Sequence, residues 1–213
     1  MYFTVRSQTS SSRWLNSTRL LVAVFFLSGV SALIYQVAWQ RLLFGAFGVD
    51  VESVTIVIST FMLGLGCGAL AGGRLADRFP ERLVLLFALS EVGIGLFGLA
   101  SPWAVPAAGA WFMQASLPVI ALVNFVLILF PTLLMGSTLP ILVAHSFKNS
   151  NNVGVSIGSL YFFNTMGAAL GAFLSGAVLF TFITLNQSIQ AAAFGNFLVA
   201  AIAILLSNSE RTA

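Results

Sequence analysis

The chain has 213 residues, of which 59% are hydrophobic and only 7% are charged. A soluble domain normally carries about a quarter charged residues, so water is not the main surroundings of this protein. Its nine basic residues are scattered rather than clustered, so the net charge of +3 does not indicate a nucleic-acid partner. These features predict an integral membrane protein whose main partner is the lipid bilayer.

Only helices and closed barrels satisfy their backbone hydrogen bonds inside a bilayer, and the long apolar runs of this chain lack the alternation of a barrel strand. The sequence therefore predicts an all-α membrane fold. Six segments are long enough to span the membrane, near residues 20–44, 52–73, 83–104, 115–144, 155–180 and 185–206. We divide the chain into an N-terminal segment (1–19), a six-helix membrane domain (20–206) and a short tail (207–213).

The loops between these segments are short. Asp50 is placed to cap the N-terminus of the second helix, and Ser101-Pro102 is expected to end the third helix. With the N-terminus on the cytoplasmic side, eight of the nine basic residues are cytoplasmic and only Arg41 is outside. The distribution of charge predicts a multi-pass membrane protein with both termini in the cytoplasm.

Small residues recur at the same spacing in the second and fifth helices. About 103 positions separate the two sets, which are Gly64, Gly68 and Gly72 in the second helix and Gly167, Gly171 and Ser175 in the fifth. Small residues four positions apart let helix backbones pack closely in lipid. The pattern also agrees with two inverted three-helix repeats, an arrangement found in transporter folds, although such spacing is common in membrane helices.

Glu91 lies about nine residues into the third helix, which places it near the middle of the hydrocarbon. A carboxyl group at that depth faces the bundle interior or a wet cavity and is a candidate for proton or cation handling. The alternative is a protonated carboxyl that only holds neighbouring helices together by hydrogen bonding.

Polar residues also occur at the end of the first helix and within the fourth and fifth. Tyr35, Gln36, Gln40 and Arg41 could bind a small polar solute; alternatively, Tyr35 and Trp39 form an interfacial belt while Arg41 reaches Asp50 or Glu52.

The fourth helix contains Asn124, Pro131 and Pro140, so we expect a break or kink there, which in transporters can expose carbonyls to a substrate. On the fifth helix, Asn164 shares the glycine face and is expected to form interhelical hydrogen bonds.

Sequence motifs for catalysis or for a cofactor are absent. The single cysteine, Cys67, lies in an apolar run and has no intramolecular partner, and His145 is the only histidine, so the sequence predicts no disulfide and no Cys/His metal site. The sequence has no phosphate-binding Gly-Lys-Ser loop and no hydrolase motif. We expect neither catalytic residues nor a cofactor, and therefore no enzyme activity in this chain.

Four blocks, in order along the chain, resemble the membrane domain of bacterial fused major-facilitator/spermidine-synthase-like proteins. They are residues 28–43 (SGVSALIYQVAWQRLL), the run from Phe61 to Arg78, residues 131–140 (PTLLMGSTLP), and Tyr161 with residues 164–168 (NTMGA). The segment with Gly73, Asp77, Arg78 and Arg82 also resembles the cytoplasmic loop motif of major facilitators, with Pro80 and Glu81 in place of the usual Gly and Arg.

The resemblance implies a membrane domain that relatives join to a soluble aminopropyltransferase-like domain, which these 213 residues do not include. Our leading hypothesis is a six-helix transporter-like module of the bacterial inner membrane, similar to half of a major facilitator, that handles or senses a small, polyamine-like cation. A six-helix module would form a homo-oligomer or a complex with another subunit to enclose a two-sided pathway. The main alternative is a non-catalytic anchor or assembly subunit for a separate synthase-like enzyme, and a third is the membrane subunit of an enzyme complex.

Overall fold

The structure is a computed structural model that describes residues 6–47, 51–112, 114–150 and 152–211. Within those ranges every regular element is a helix. The six long helices are α1 (Arg6–Phe47), α2 (Val51–Arg78), α3 (Leu83–Phe112), α4 (Leu117–Ser150), α5 (Val153–Leu174) and α6 (Leu185–Arg211). A short 3₁₀ turn, Pro80–Arg82, precedes α3, and a π-helical stretch, Ser175–Leu179, continues α5 to Phe182.

All six helices are long and apolar enough to cross a bilayer. The shortest apolar span, Val57–Arg78, has 22 residues and is about 33 Å long, against a hydrocarbon thickness of about 30 Å. The first apolar span is Leu20–Ala46, although α1 itself begins earlier, at Arg6. The predicted all-α, multi-pass membrane fold with six spanning helices is confirmed.

One expectation about a helix end is wrong, and of the break or kink expected in the fourth helix, the break is absent. Helix α3 continues through Pro102 and Pro106 to Phe112, because Ser101 Oγ donates a 2.8 Å hydrogen bond to the Gly98 carbonyl. That carbonyl is the one that Pro102, which lacks an N–H, leaves without its usual partner. Helix α4 is continuous through Pro131 and Pro140, so it is not broken. The expected cap at Asp50 lies outside the described residues.

The helices pack as two similar sets of three. Helix α2 packs most extensively on α4 and α1 on α5, while α3 contacts α4, α6 and α1. In two repeats, α1 corresponds to α4, α2 to α5 and α3 to α6. The α2–α4 contact then corresponds to the α5–α1 contact, and the α3–α4 contact corresponds to the α6–α1 contact. The most extensive contacts between the two halves therefore match the pattern expected for two three-helix repeats, whereas the α1–α3 contact has no counterpart of similar size between the described residues of α4 and α6.

The two extensive contacts are both made at glycines. A Cβ atom on Gly64, Gly68 or Gly72 would overlap residues of α4, and one on Gly167 or Gly171 would overlap the α1 backbone. The partner helices contribute a glycine each, since Gly136 lies against Leu65 and Gly29 lies against Asn164. In each pair, the contacting residues follow one another in the same order along both helices. Helix α2 therefore runs parallel to α4, and α1 runs parallel to α5.

Candidate functional site

The candidate site lies where α1, α3 and α6 meet. Glu91 is eight residues into α3, about 12 Å along the helix, and none of its surface is exposed. Ser28 Oγ of α1 donates a 2.7 Å hydrogen bond to Glu91 Oε1. Asn196 Nδ2 of α6 donates a 2.6 Å hydrogen bond to Glu91 Oε2. The carboxyl group therefore joins three helices and both halves of the fold.

These three residues form a polar layer between two apolar clusters. On one side lies a cluster that includes Tyr35, Trp39 and Ile94. On the other side lies a cluster that includes Phe25 and Phe87. Each of the three helices passes from one apolar cluster to the other through one member of the layer. A polar layer at that depth is costly, because its groups find no water there.

The charge on Glu91, when ionised, has no counter-ion among the described residues. Its only hydrogen-bond donors in that part of the chain are a hydroxyl and an amide, and no Lys or Arg forms an ion pair with it. Tyr35 of α1 is the titratable group close enough to interact with it electrostatically. Isolated buried charges are strongly disfavoured, so this carboxyl is suited to take up a proton or a cation.

Several buried oxygens near the bundle interior lack a hydrogen-bond partner among the described residues. They are Tyr35 Oη, Asn124 Oδ1, Asn164 Oδ1 and Asn196 Oδ1. Amide oxygens only accept hydrogen bonds, so these atoms are suited mainly to a ligand with several hydrogen-bond donors. We call Glu91, Ser28, Asn196 and Tyr35 the Glu91 cluster.

The structure brings only some of the predicted site residues together. Tyr35 interacts with Glu91 electrostatically, although its hydroxyl lies against Gly98. Asn164 lies at the α1–α5 contact beside Gly29, and its Oδ1 forms no hydrogen bond among the described residues. Asn124 is buried on α4, and no described hydrogen bond joins it to Glu91. Gln36 and Gln40 are half-buried at the polar end of α1.

Tyr35 and Trp39 are not an interfacial belt, because both are buried in the bundle. Their rings stack with centroids 4.7 Å apart, and Trp39 Nε1 donates a 2.9 Å hydrogen bond to Ser101 Oγ. Arg41 is exposed and lies over the Phe180 ring at 4.1 Å. Asp50 and the Glu52 side chain, its other suggested partners, lie outside the described residues.

The loop-motif residues lie on a surface apart from the Glu91 cluster. Asp77 and Arg78 at the end of α2 and Arg82 in the following 3₁₀ turn are exposed, and Gly73 is half-buried. Arg78 lies 5.8 Å from the Phe79 ring. The motif therefore forms a basic end of α2 rather than part of the interior.

Sequence reasoning missed Ser28, Ser101 and Asn196. Asn196 could have been found, because it is a lone amide in the middle of the apolar span Leu185–Ser207. Ser28 could have been found from its spacing of seven residues from Tyr35, which places both on one face of α1. Their pairing with Glu91 could not be read from the sequence, because 63 and 105 residues separate the partners.

Comparison with known proteins identifies one informative relative. Over 153 residues the chain is 28% identical to polyamine aminopropyltransferase 1 of Streptomyces coelicolor. The alignment covers 71% of this chain but only 27% of that protein. No family model matches the chain, and no solved structure matches it. The similarity agrees with the resemblance to spermidine-synthase-like proteins, and the chain corresponds to about a quarter of the relative's length.

Proposed function

We propose that this protein is a membrane module that handles a small, polyamine-like cation, with the Glu91 cluster as its polar interior. The observation that carries the proposal is the fully buried Glu91 carboxyl, which has neutral donors and no counter-ion among the described residues. A polyamine supplies both what the carboxyl lacks, positive charge, and what the nearby unpaired oxygens lack, N–H donors.

The comparison supports the choice of solute. The relative is named for an enzyme that acts on polyamines, and the aligned part is the minor share of that protein. In this proposal the present chain does not transfer aminopropyl groups itself but works beside such chemistry in the bacterial inner membrane. Asn124 Oδ1 and Asn164 Oδ1, which have no hydrogen-bond partner among the described residues, lie on α4 and α5, so they would meet the solute at other points than Glu91.

Spermidine uptake into vesicles reconstituted with the purified chain tests the proposal. Glu91→Gln keeps the size of the side chain and one of its two acceptor oxygens but removes its charge. We expect uptake to fall about tenfold or more, because a hydrogen bond to a charged group contributes about 1.5–3 kcal/mol and 1.4 kcal/mol corresponds to a factor of ten.

Glu81→Gln is the matched control, since Glu81 is an exposed acid in the 3₁₀ turn outside the Glu91 cluster. This variant should keep full uptake. Vesicles with the unaltered chain that take up no spermidine, or a Glu91→Gln variant that transports normally, would contradict the proposal.

A second candidate function is an anchor for a separate synthase-like enzyme. The exposed basic end of α2, with Arg74, Arg78 and Arg82, favours it, because a cytoplasmic partner with an acidic surface would find these side chains accessible. Under this alternative, Arg78→Glu combined with Arg82→Glu releases a co-purifying enzyme, whereas Glu91→Gln does not. The opposite pattern, with spermidine uptake lost only in Glu91→Gln, supports the transport module.

A further inference from the structure

The hydrogen bond between Glu91 and Asn196 joins the third helices of the two halves at corresponding positions. The two residues are 105 positions apart. This separation lies between those of the other matched pairs, 103 positions for Gly64 and Gly167 and 107 for Gly29 and Gly136. The bond therefore lies close to the axis that would relate the halves, where a change in one side chain acts on both.

The contact between Glu91 and Asn196 also suits a neutral carboxylic acid. The two side-chain atoms are 2.6 Å apart, which is a hydrogen-bonding distance whichever of the two groups is the donor. The oxygen and nitrogen of an amide occupy equivalent positions, so half a turn of the Asn196 amide places Oδ1 against Glu91. Glu91 must then be the donor.

The unpaired atoms support the same conclusion. With Nδ2 facing Glu91, Asn196 Oδ1 is buried and has no partner among the described residues. After the half turn, Oδ1 accepts the acid proton, while Ser28 Oγ can donate to Oε1 in either state. The same three side chains can therefore satisfy an ionised or a neutral Glu91 without any change in helix packing.

In the closed bundle, a proton fits at Glu91 and a larger cation does not. Tyr35 of α1, whose hydroxyl has no hydrogen-bond partner among the described residues, interacts with Glu91 electrostatically, and the described parts of α4 and α6 place no titratable group against it. Glu91 has no exposed surface, so a polyamine reaches the carboxyl only when the helices separate. A proton needs no such space.

We infer that Glu91 holds an exchangeable proton. In the closed bundle this proton forms a hydrogen bond to Asn196 Oδ1, and it is released when a cationic amine binds the carboxylate instead. This inference rests on the proposed function. On protonation an O–H bond forms from the carboxylate and a proton delivered by hydronium, which leaves as water; no other reactant is needed. Because proton and ammonium compete for one carboxylate, the solute class becomes a cationic amine exchanged for protons.

Infrared difference spectroscopy on the full chain in lipid, recorded as the pH is changed, tests the proton site. We expect a carboxylic-acid C=O band that shifts in D₂O, disappears in Glu91→Gln and persists in Glu81→Gln. Asn196→Leu removes the acceptor, so the band should move to higher frequency. If that variant does not fold, Asn196→Ala, which is smaller and also has no acceptor, serves the same purpose. A band that ignores both Asn196 variants overturns the role of Asn196 as acceptor.

Spermidine uptake driven by a pH gradient separates this inference from the proposed function. Uptake that releases protons from the vesicles, together with the titrating band, supports both. The absence of an acid band at every pH, with uptake that still depends on Glu91, overturns the proton site and leaves the solute function standing. A titrating band without any uptake overturns the solute function and leaves the proton site.

Discussion

The α2–α4 contact and the Glu91 cluster hold helices together by different means. In the α2–α4 contact, glycines bring two backbones together, and the hydroxyls of Thr132 and Ser137 on α4 donate to carbonyls of α4 itself. In the Glu91 cluster, one side chain of α1 and one of α6 bond to a carboxyl of α3. The first contact depends on the volume of its residues, and the second depends on their hydrogen-bonding groups.

This difference indicates which contact can change during function. Close backbone packing has one low-energy arrangement, because an interior at native density cannot deform continuously. A hydrogen-bonded carboxyl and amide have two low-energy arrangements, because protonation of the carboxyl and rotation of the amide exchange donor and acceptor. We therefore expect the two glycine contacts to act as rigid pairs, α2 with α4 and α5 with α1, and the polar layer to be the part that responds to an ion.

The largest effect is expected for added volume at the α2–α4 contact. Gly68→Leu puts a side chain where the Leu133 carbonyl lies, so it should lower the free energy of unfolding by about 3 kcal/mol, the upper part of the range for overpacked sites. Thermal unfolding of the purified protein in mild detergent measures it.

Gly66→Leu is the control, on the same helix two residues away. A Cβ on Gly66 meets nothing within 4 Å and the residue is exposed, so the change should stay within about 0.5 kcal/mol. Equal losses from the two variants would show that helix propensity or lipid contact, rather than packing on α4, determines stability here.

The fold was largely predictable from the sequence, because apolar length alone defines spanning helices. The described start of α3 at Leu83 and of α6 at Leu185 agrees with the predicted segments. The end of α3 was not predictable from the proline rule, since a serine hydroxyl replaces the missing backbone donor at Gly98. Local signals of this kind depend on a rotamer, which the sequence does not specify.

The candidate site was predictable only as single residues. Glu91 can be identified from the sequence, because a carboxyl deep in an apolar span has a high free energy and is therefore rare. Its partners depend on how α1 and α6 pack around α3, and hydropathy carries no information on that packing. For the same reason, the sequence did not separate Tyr35, which faces inward, from its neighbour Gln36, which is half-buried.

A smaller effect is expected for the second polar bond between α1 and α3. Trp39→Phe keeps most of the ring packing but removes the bond to Ser101, so it should lower the free energy of unfolding by about 1 kcal/mol. Thermal unfolding of the variant measures the loss. Trp103→Phe, at an exposed position on α3, should change it by less than about 0.5 kcal/mol. If the exposed tryptophan proves the costlier one to replace, the bond to Ser101 does not stabilise the bundle.

The smallest effect is expected where α1 meets the end of the fifth helix, through the Arg41 guanidinium over the Phe180 ring. A double-mutant cycle of Arg41→Gln and Phe180→Leu should give a coupling of about 0.5–1 kcal/mol, since an exposed cation–π pair contributes little beyond that. Arg78 and Phe79, which are 5.8 Å apart, provide the control cycle, and their coupling should be smaller because the attraction weakens with distance. No measurable coupling between Arg41 and Phe180 would mean that the packing of α1 on α5 rests on its glycines alone.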